Sequence, residues 1–121
     1  MSSMEGKLAK PTVGNYTANK HAINGLVKVA AHEVGTLGIT VNAILPGVVE
    51  TDILRDTGPA SAVAMGLDGY DALVELFTSD SAIKRPNTVE EVAAVALLLA
   101  SDSGRNITGT LFPVDGGTMP Y

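Results

Sequence analysis

Apolar positions recur along this chain with two different periods, and each change of period marks an element. Residues 1–14, MSSMEGKLAKPTVG, follow neither period and are punctuated by Gly6, Pro11 and Gly14, which predicts a loop. From Asn15 to about Val34 the period is helical. Ile23, Val27, Ala30 and Val34 form one stripe, and Ala18, Ala22, Leu26 and Val29 widen it to about half the circumference. A helix that apolar should pack on a core and also on a second surface. Tyr16, Thr17, Lys20, Asn24 and Lys28 take the other side, so Tyr16 and Lys20 lie one above the other.

The glycines of GTLG (35–38) end that helix, because glycine suits the left-handed position beyond a C-cap. ITVNAILP then alternates Ile39, Val41, Ala43 and Leu45 against Thr40 and Asn42, the period of a strand over 39–45 that Pro46-Gly47 stops. Residues 52–86 hold no single period and contain Gly58, Pro59, Gly66 and Gly69. They predict an irregular insertion of two short helices and turns, of a size that often covers a binding site. NTVEEVAAVALLLASDSG is the clearest helix: Thr88 and Glu91 form a capping box, and Val92, Val95, Ala96 and Leu99 repeat at helical spacing. ITGTLFPVDGG closes the pattern with a strand from about Thr110 to Val114, and because Pro113 lacks an N–H the strand should sit at a sheet edge or end there.

Two strands joined through a helix form one right-handed, parallel βαβ unit. Strand 39–45 is apolar at most positions, as in a sheet covered on both faces. Two strands do not make such a sheet, so one edge wants a neighbour. The fold class read from this pattern is α/β, half of a doubly wound parallel-sheet (Rossmann-like) domain, with residues 1–121 as a single partial domain.

Composition narrows the function classes. A net charge of -5 and an aromatic content of 4% argue against nucleic acid or anionic membrane as partners. No cysteine is present and His21 and His32 are the two histidines, so no metal site is expected. No apolar run reaches the roughly 20 residues that span a bilayer, and no secretory pattern opens the sequence, which predicts a cytoplasmic protein.

The chemistry-bearing residues occur in four stretches, SSMEG…NYTANK, VNAILPGVVETDI, RPNTVEEVAAVALLLASD and ITGTLFPVDGG. In order and spacing these resemble the C-terminal half of the short-chain dehydrogenase/reductase family, over almost the whole chain. Tyr-x-x-x-Lys alone is a weak signal. Joined to a serine 13 positions earlier, to Pro-Gly-x-x-x-Thr and to Val-Asp-Gly-Gly, it is a specific one.

The resemblance implies an NAD(P)-dependent oxidoreductase that interconverts a small-molecule alcohol and a carbonyl. It makes Tyr16 the general acid/base, Lys20 the cation beside it and a ligand of the nicotinamide ribose, and Ser3 the hydroxyl that steadies the substrate oxygen. A free phenol titrates near pH 10, and an adjacent ammonium favours the phenolate. The resemblance further implies that Pro46 and Gly47 shape the cofactor's edge, that the Val49 backbone meets the nicotinamide carboxamide, and that the Thr51 hydroxyl lies near the carboxamide or pyrophosphate. Ser3 and Ser2 equally suit a cap or turn, and Pro46-Gly47 an ordinary strand-to-loop turn. Met65, Leu67, Tyr70, Leu73 and Phe77 suit either a substrate pocket or the insertion's own small core. His21, Asn24 and Lys28 read as solvated or structural and His32 as a complement to the negative helix end, while Asp115-Gly116-Gly117 resembles the family's terminal turn, which the resemblance implies packs at subunit contacts.

The sequence contains no glycine-rich phosphate loop, no residue to separate NAD from NADP at the ribose, and no counterpart of the family's catalytic asparagine. The expectation is therefore a C-terminal fragment, with the N-terminal dinucleotide-binding half absent, that does not turn over substrate alone. Homo-oligomers, dimers or tetramers, are what the family's paired helices imply. The competing class is a non-catalytic, self-associating interaction module built on the same half-fold.

Overall fold

The computed structural model describes residues 1–119. Helix α1 spans Gly14–Val34, strand β1 Ala43–Pro46, helices α2 Asp52–Ala64, α3 Gly69–Thr78 and α4 Val89–Ala100, and strand β2 Leu111–Val114. Single 3-10 turns occupy Met4–Gly6, Gly35–Leu37 and Asp102–Gly104.

Strands β1 and β2 pair in parallel, from Ala43 opposite Leu111 to Pro46 opposite Val114. Both are shorter than the alternation predicts, and β1 takes in Pro46 before it stops at Gly47. The reason lies in side chains that intercept the ladder. The Val41 N–H donates to the Thr108 hydroxyl (3.0 Å), while the Asn42 side chain donates to the Ile107 carbonyl (2.7 Å) and accepts from the Thr110 N–H (3.1 Å). Regular pairing begins only where the Ala43 N–H reaches the Thr110 carbonyl at 2.9 Å. Among the described residues β2 pairs with β1 alone, so its exposed Pro113 disturbs no second ladder.

The edge of β1 that the sequence leaves without a neighbour is met at one point: the Ser2 N–H donates to the Ile44 carbonyl at 2.9 Å. The N-terminal segment thus runs beside β1 on the side away from β2. Ala43, Leu45 and Met119 form the buried core, with Met4, Leu8, Val27 and Leu111 packed around it. Met4 and Leu8 anchor the N-terminal loop to that core, which fixes its course toward α1.

Only half of the apolar arc of α1 is covered. Ile23, Val27, Ala30 and Val34 are partly buried and Ala31 is buried, whereas Leu26 and Val29 stay 67% and 55% exposed. Helix α4 buries no residue outright, and Leu97 is 72% exposed. The insertion is more regular than its sequence suggests. Helix α2 continues through Gly58-Pro59 because the Tyr70 ring of α3 lies flush on Gly58, and Ala62 and Leu73 are fully buried between the two helices. No helix among the described residues is long and apolar enough to cross a membrane.

The capping box of α4 forms as the spacing predicts: the Glu91 N–H donates to the Thr88 hydroxyl (3.2 Å) and the Glu91 carboxylate accepts from the Thr88 N–H (2.8 Å). Arg85 adds a two-pronged pair to the same carboxylate at 2.6 and 2.9 Å. The Arg85 hydrogen bond, with the Thr88 amide second, holds the Glu91 carboxyl down from its ordinary 4.5 to about 2. A depressed folded value means the stabilisation is complete above about 4.5 and is lost as pH falls towards 2. Urea midpoints measured across that interval should therefore fall less for Glu91→Gln than for the unaltered chain. Thr88→Ala should cost about 1 kcal/mol at neutral pH by the same measurement.

Gly47 follows β1 and donates its N–H to the Val114 carbonyl at 2.9 Å. A Cβ there would lie 2.8 Å from the Asp115 Cα, a backbone atom that cannot swing aside. Asp115 is itself held, its carboxylate accepting from the N–H groups of Gly117 (3.0 Å) and Met119 (2.9 Å). Gly47→Ala should lower the denaturation midpoint by the equivalent of roughly 1–3 kcal/mol, the usual cost of overpacking.

Candidate functional site

The N-terminal loop is fastened along the first half of α1 by side chains of the helix and of the loop itself. The Asn24 side chain donates to the Gly6 carbonyl at 2.9 Å, and the Ser2 hydroxyl donates to the Lys20 carbonyl at 3.3 Å. Asn24 is only 5% exposed, so its place on the polar side of the helix is not a solvated one. Helical periodicity sorts residues by face but does not reveal which polar residue a loop will cover. Gly6 owes its presence to that close approach: a Cβ would sit 2.5 Å from the Asn24 amide nitrogen and 3.1 Å from the Lys20 carbonyl oxygen.

Ser3 is buried and caps the 3-10 turn Met4–Gly6, its hydroxyl oxygen accepting from the Glu5 N–H at 3.2 Å. Accepting leaves the hydroxyl hydrogen available to a further acceptor, so capping and substrate contact are compatible roles. Tyr16 stands in the first turn of α1, 47% exposed. The Lys20 ammonium lies 5.2 Å from the centre of its ring, within cation–π range. The two side chains converge rather than point apart.

Ser3, Tyr16, Gly47 and Val49 share one cavity of about 830 Å³. Leu54, Met65, Leu76 and Phe77 of the helical insertion form its opposite wall. The insertion residues therefore divide: Met65 and Phe77 reach the cavity, while Leu73 and the Tyr70 ring make the insertion's own core. Lys20 and Pro46 are not among the residues that line this cavity; Pro46 is the last residue of β1 and adjoins Gly47, which does line it. Thr51 caps α2, its hydroxyl oxygen accepting from the Leu54 N–H at 3.3 Å, and borders a separate polar cleft with Asp52, Arg55 and Thr88.

Val49 forms a parallel bridge with Asn87 whose hydrogen bonds use the Val48 carbonyl (2.8 Å) and the Glu50 N–H (2.9 Å). In that pattern the N–H and carbonyl of Val49 itself face away from Asn87. They are one donor and one acceptor turned from Asn87, on a residue that lines the cavity.

Sequence reasoning did not single out Glu5, Lys10 or Thr12, which also line the cavity. Lys10 reaches Asp80 at 3.9 Å, linking the N-terminal loop to the end of α3. Thr12 has a left-handed backbone (φ 74°), unusual for a β-branched residue. All three sit in a loop without periodicity, and Glu5 is marked only by being an acid amid small and apolar residues.

The match to known proteins extends over this whole arrangement. A family model described as enoyl-(acyl carrier protein) reductase matches residues 1–119. A D-beta-hydroxybutyrate dehydrogenase of Rhizobium meliloti is 39% identical over 117 residues, covering 97% of this chain and 45% of the relative. A short chain dehydrogenase family protein from Francisella tularensis superposes with a TM-score of 0.91 at 30% identity, covering 99% of this chain and 49% of that structure. Carveol dehydrogenase from Mycobacterium avium, solved in complex with NAD, gives 0.88 at 32% identity, with 99% and 44% coverage. The chain spans about half the length of the curated relatives it matches. With its parallel strands, its Tyr16–Lys20 helix and a match from end to end of the described residues, the chain belongs to the short-chain dehydrogenase/reductase family.

Proposed function

We propose that this chain supplies the proton-transfer half of an NAD(P)-dependent oxidoreductase site that interconverts an alcohol and a carbonyl. The observation that carries this reading is the convergence of Tyr16, with Lys20 5.2 Å from its ring, and the Ser3 hydroxyl on one cavity. The residues fit a nicotinamide: the outward-facing amide and carbonyl of Val49 suit its carboxamide, Gly47 lets the wall come close, and Lys20 suits ribose hydroxyls. Pro46 ends the strand that presents Val49, and Thr51 lies beyond it toward the polar cleft, where pyrophosphate oxygens are the expected partners. When bound, the nicotinamide supplies the hydride chemistry, whether as NAD or NADP.

The chain's own residues handle the substrate oxygen. The Ser3 hydroxyl donates to it and steadies the charge that develops there. The Tyr16 hydroxyl passes it a proton in the reducing direction and takes one in the oxidising direction. Lys20 holds its ammonium 5.2 Å from the centre of the same ring, beside the group that moves the proton. The insertion wall of Leu54, Met65, Leu76 and Phe77 excludes water and selects an apolar body on the substrate. No segment carrying a dinucleotide-phosphate loop is present in the sequence, so turnover is expected to require that other half of the domain.

A second reading, a self-associating module without turnover, is favoured by one observation: Leu26 and Val29 on α1, and Leu97 on α4, are left exposed on otherwise regular helices. Sedimentation of the chain decides between them when paired with kinetics. In a preparation that reduces a test ketone, Tyr16→Phe should lower kcat by about 10²–10⁴-fold with cofactor affinity nearly unchanged. Full turnover by that variant would remove Tyr16 from the chemistry. A stable oligomer that never binds cofactor would favour the module.

A further inference from the structure

The proton-transfer reading gives no role to the buried acid of the same cavity. Glu5 lies two positions beyond Ser3, is 6% exposed, and lines the cavity that Ser3 and Tyr16 share. The turn Met4–Gly6 uses only the backbone of Glu5, whose N–H serves the Ser3 cap. Its carboxyl meets one side-chain partner among the described residues, the Thr17 hydroxyl at 3.5 Å from Oε2, at the long limit of a hydrogen bond. No ion pair among the described residues includes it. A carboxyl group so withdrawn from solvent, with neither a cation nor a strong donor, is costly unless something else supplies one.

The charge on the rest of the wall sharpens the point. Lys10 and Asp80, the other charged residues of the lining, lie 3.9 Å apart and offset each other at the mouth, which leaves Glu5 as the unbalanced acid inside. We propose that Glu5 determines the substrate class of this site. It accepts from a second donor, a hydroxyl or an ammonium, that the substrate carries close to its reacting carbon. Diols, hydroxyketones and amino alcohols with an apolar body fit this lining. Hydroxy acids do not, because their carboxylate would face a like group in an apolar enclosure. The assignment rests on the proton-transfer reading, since that reading identifies the cavity as the substrate's.

Four compounds on one skeleton test it by ligand-observed NMR titration of the chain: a phenylpropanol, its vicinal diol, its vicinal amino alcohol, and the matching phenyl hydroxy acid. The diol or the amino alcohol, or both, should bind about tenfold or more tightly than the plain alcohol, and the hydroxy acid most weakly. A gain for the amino alcohol alone identifies the donor as a cation, and a gain for both identifies it as a hydrogen-bond donor of either kind. Glu5→Ala should erase the ranking while leaving plain-alcohol affinity unchanged. Glu5→Gln, which keeps an acceptor, should erase only the amino alcohol's advantage over the diol. Equal affinities on the unaltered chain, absence of saturable binding by all four, or a ranking that survives Glu5→Ala would overturn the proposal. If Glu5→Ala also loses the plain alcohol, the ranking on the unaltered chain decides. The two readings fail separately: a Glu5-dependent ranking with full turnover by Tyr16→Phe refutes only the proton-transfer role, and equal affinities with Tyr16-dependent turnover refute only the role of Glu5.

Discussion

The site depends on how closely the N-terminal loop is drawn onto helix α1. One buried amide, that of Asn24, reaches back one helical turn beyond Lys20 to hold the Gly6 carbonyl, and Ser2 grips the Lys20 carbonyl from the loop side. Because Gly6 lacks a Cβ, the loop lies against the helix backbone itself. That contact sets where Ser3 stands relative to Tyr16. The same loop is anchored on its other side by the Ser2 bond to Ile44 of β1 and by Met4 and Leu8 in the core. Helix, loop and strand are thus fixed together by a few buried bonds, and the cavity opens where they diverge.

The second constraint is the approach of Asp115 to Gly47. The turn after β2 is tied by its own carboxylate to two backbone amides, and it presses on Gly47, the residue that follows β1. Glycine at 47 allows the chain to turn directly into Val48 and Val49, where bridging to Asn87 orients the free amide and carbonyl of Val49. The C-terminal turn thus braces Gly47, a residue of the cavity lining.

Much of this was legible in the residues. The helix over Asn15 to Val34 and the capping box of Thr88 and Glu91 follow from periodicity and from short-range hydrogen-bonding rules, which act on neighbours in sequence. The parallel pairing follows from the crossover that a strand–helix–strand order imposes. The strand limits did not follow, because Asn42 and Thr108 replace ladder bonds with side-chain bonds between residues about 65 apart. Asn24, which the sequence leaves as solvated or structural, is structural because a loop 18 residues earlier covers it. Glu5 was passed over because its meaning comes from burial, which a loop sequence does not encode. The exposed halves of α1 and α4 were half legible; their apolar excess was visible, but which side finds a partner within this chain was not.

The central claim is that a phenol and an ammonium on one helix, with a loop serine facing them, form the reacting end of a nicotinamide site. Its most direct test is titration of the chain, joined to a dinucleotide-binding half where needed, with reduced nicotinamide cofactor while nicotinamide fluorescence is followed. The account predicts a saturable shift or quench that Lys20→Ala weakens and a bulky residue at Gly47 abolishes. A signal that never saturates, or that is indifferent to both substitutions, would contradict it.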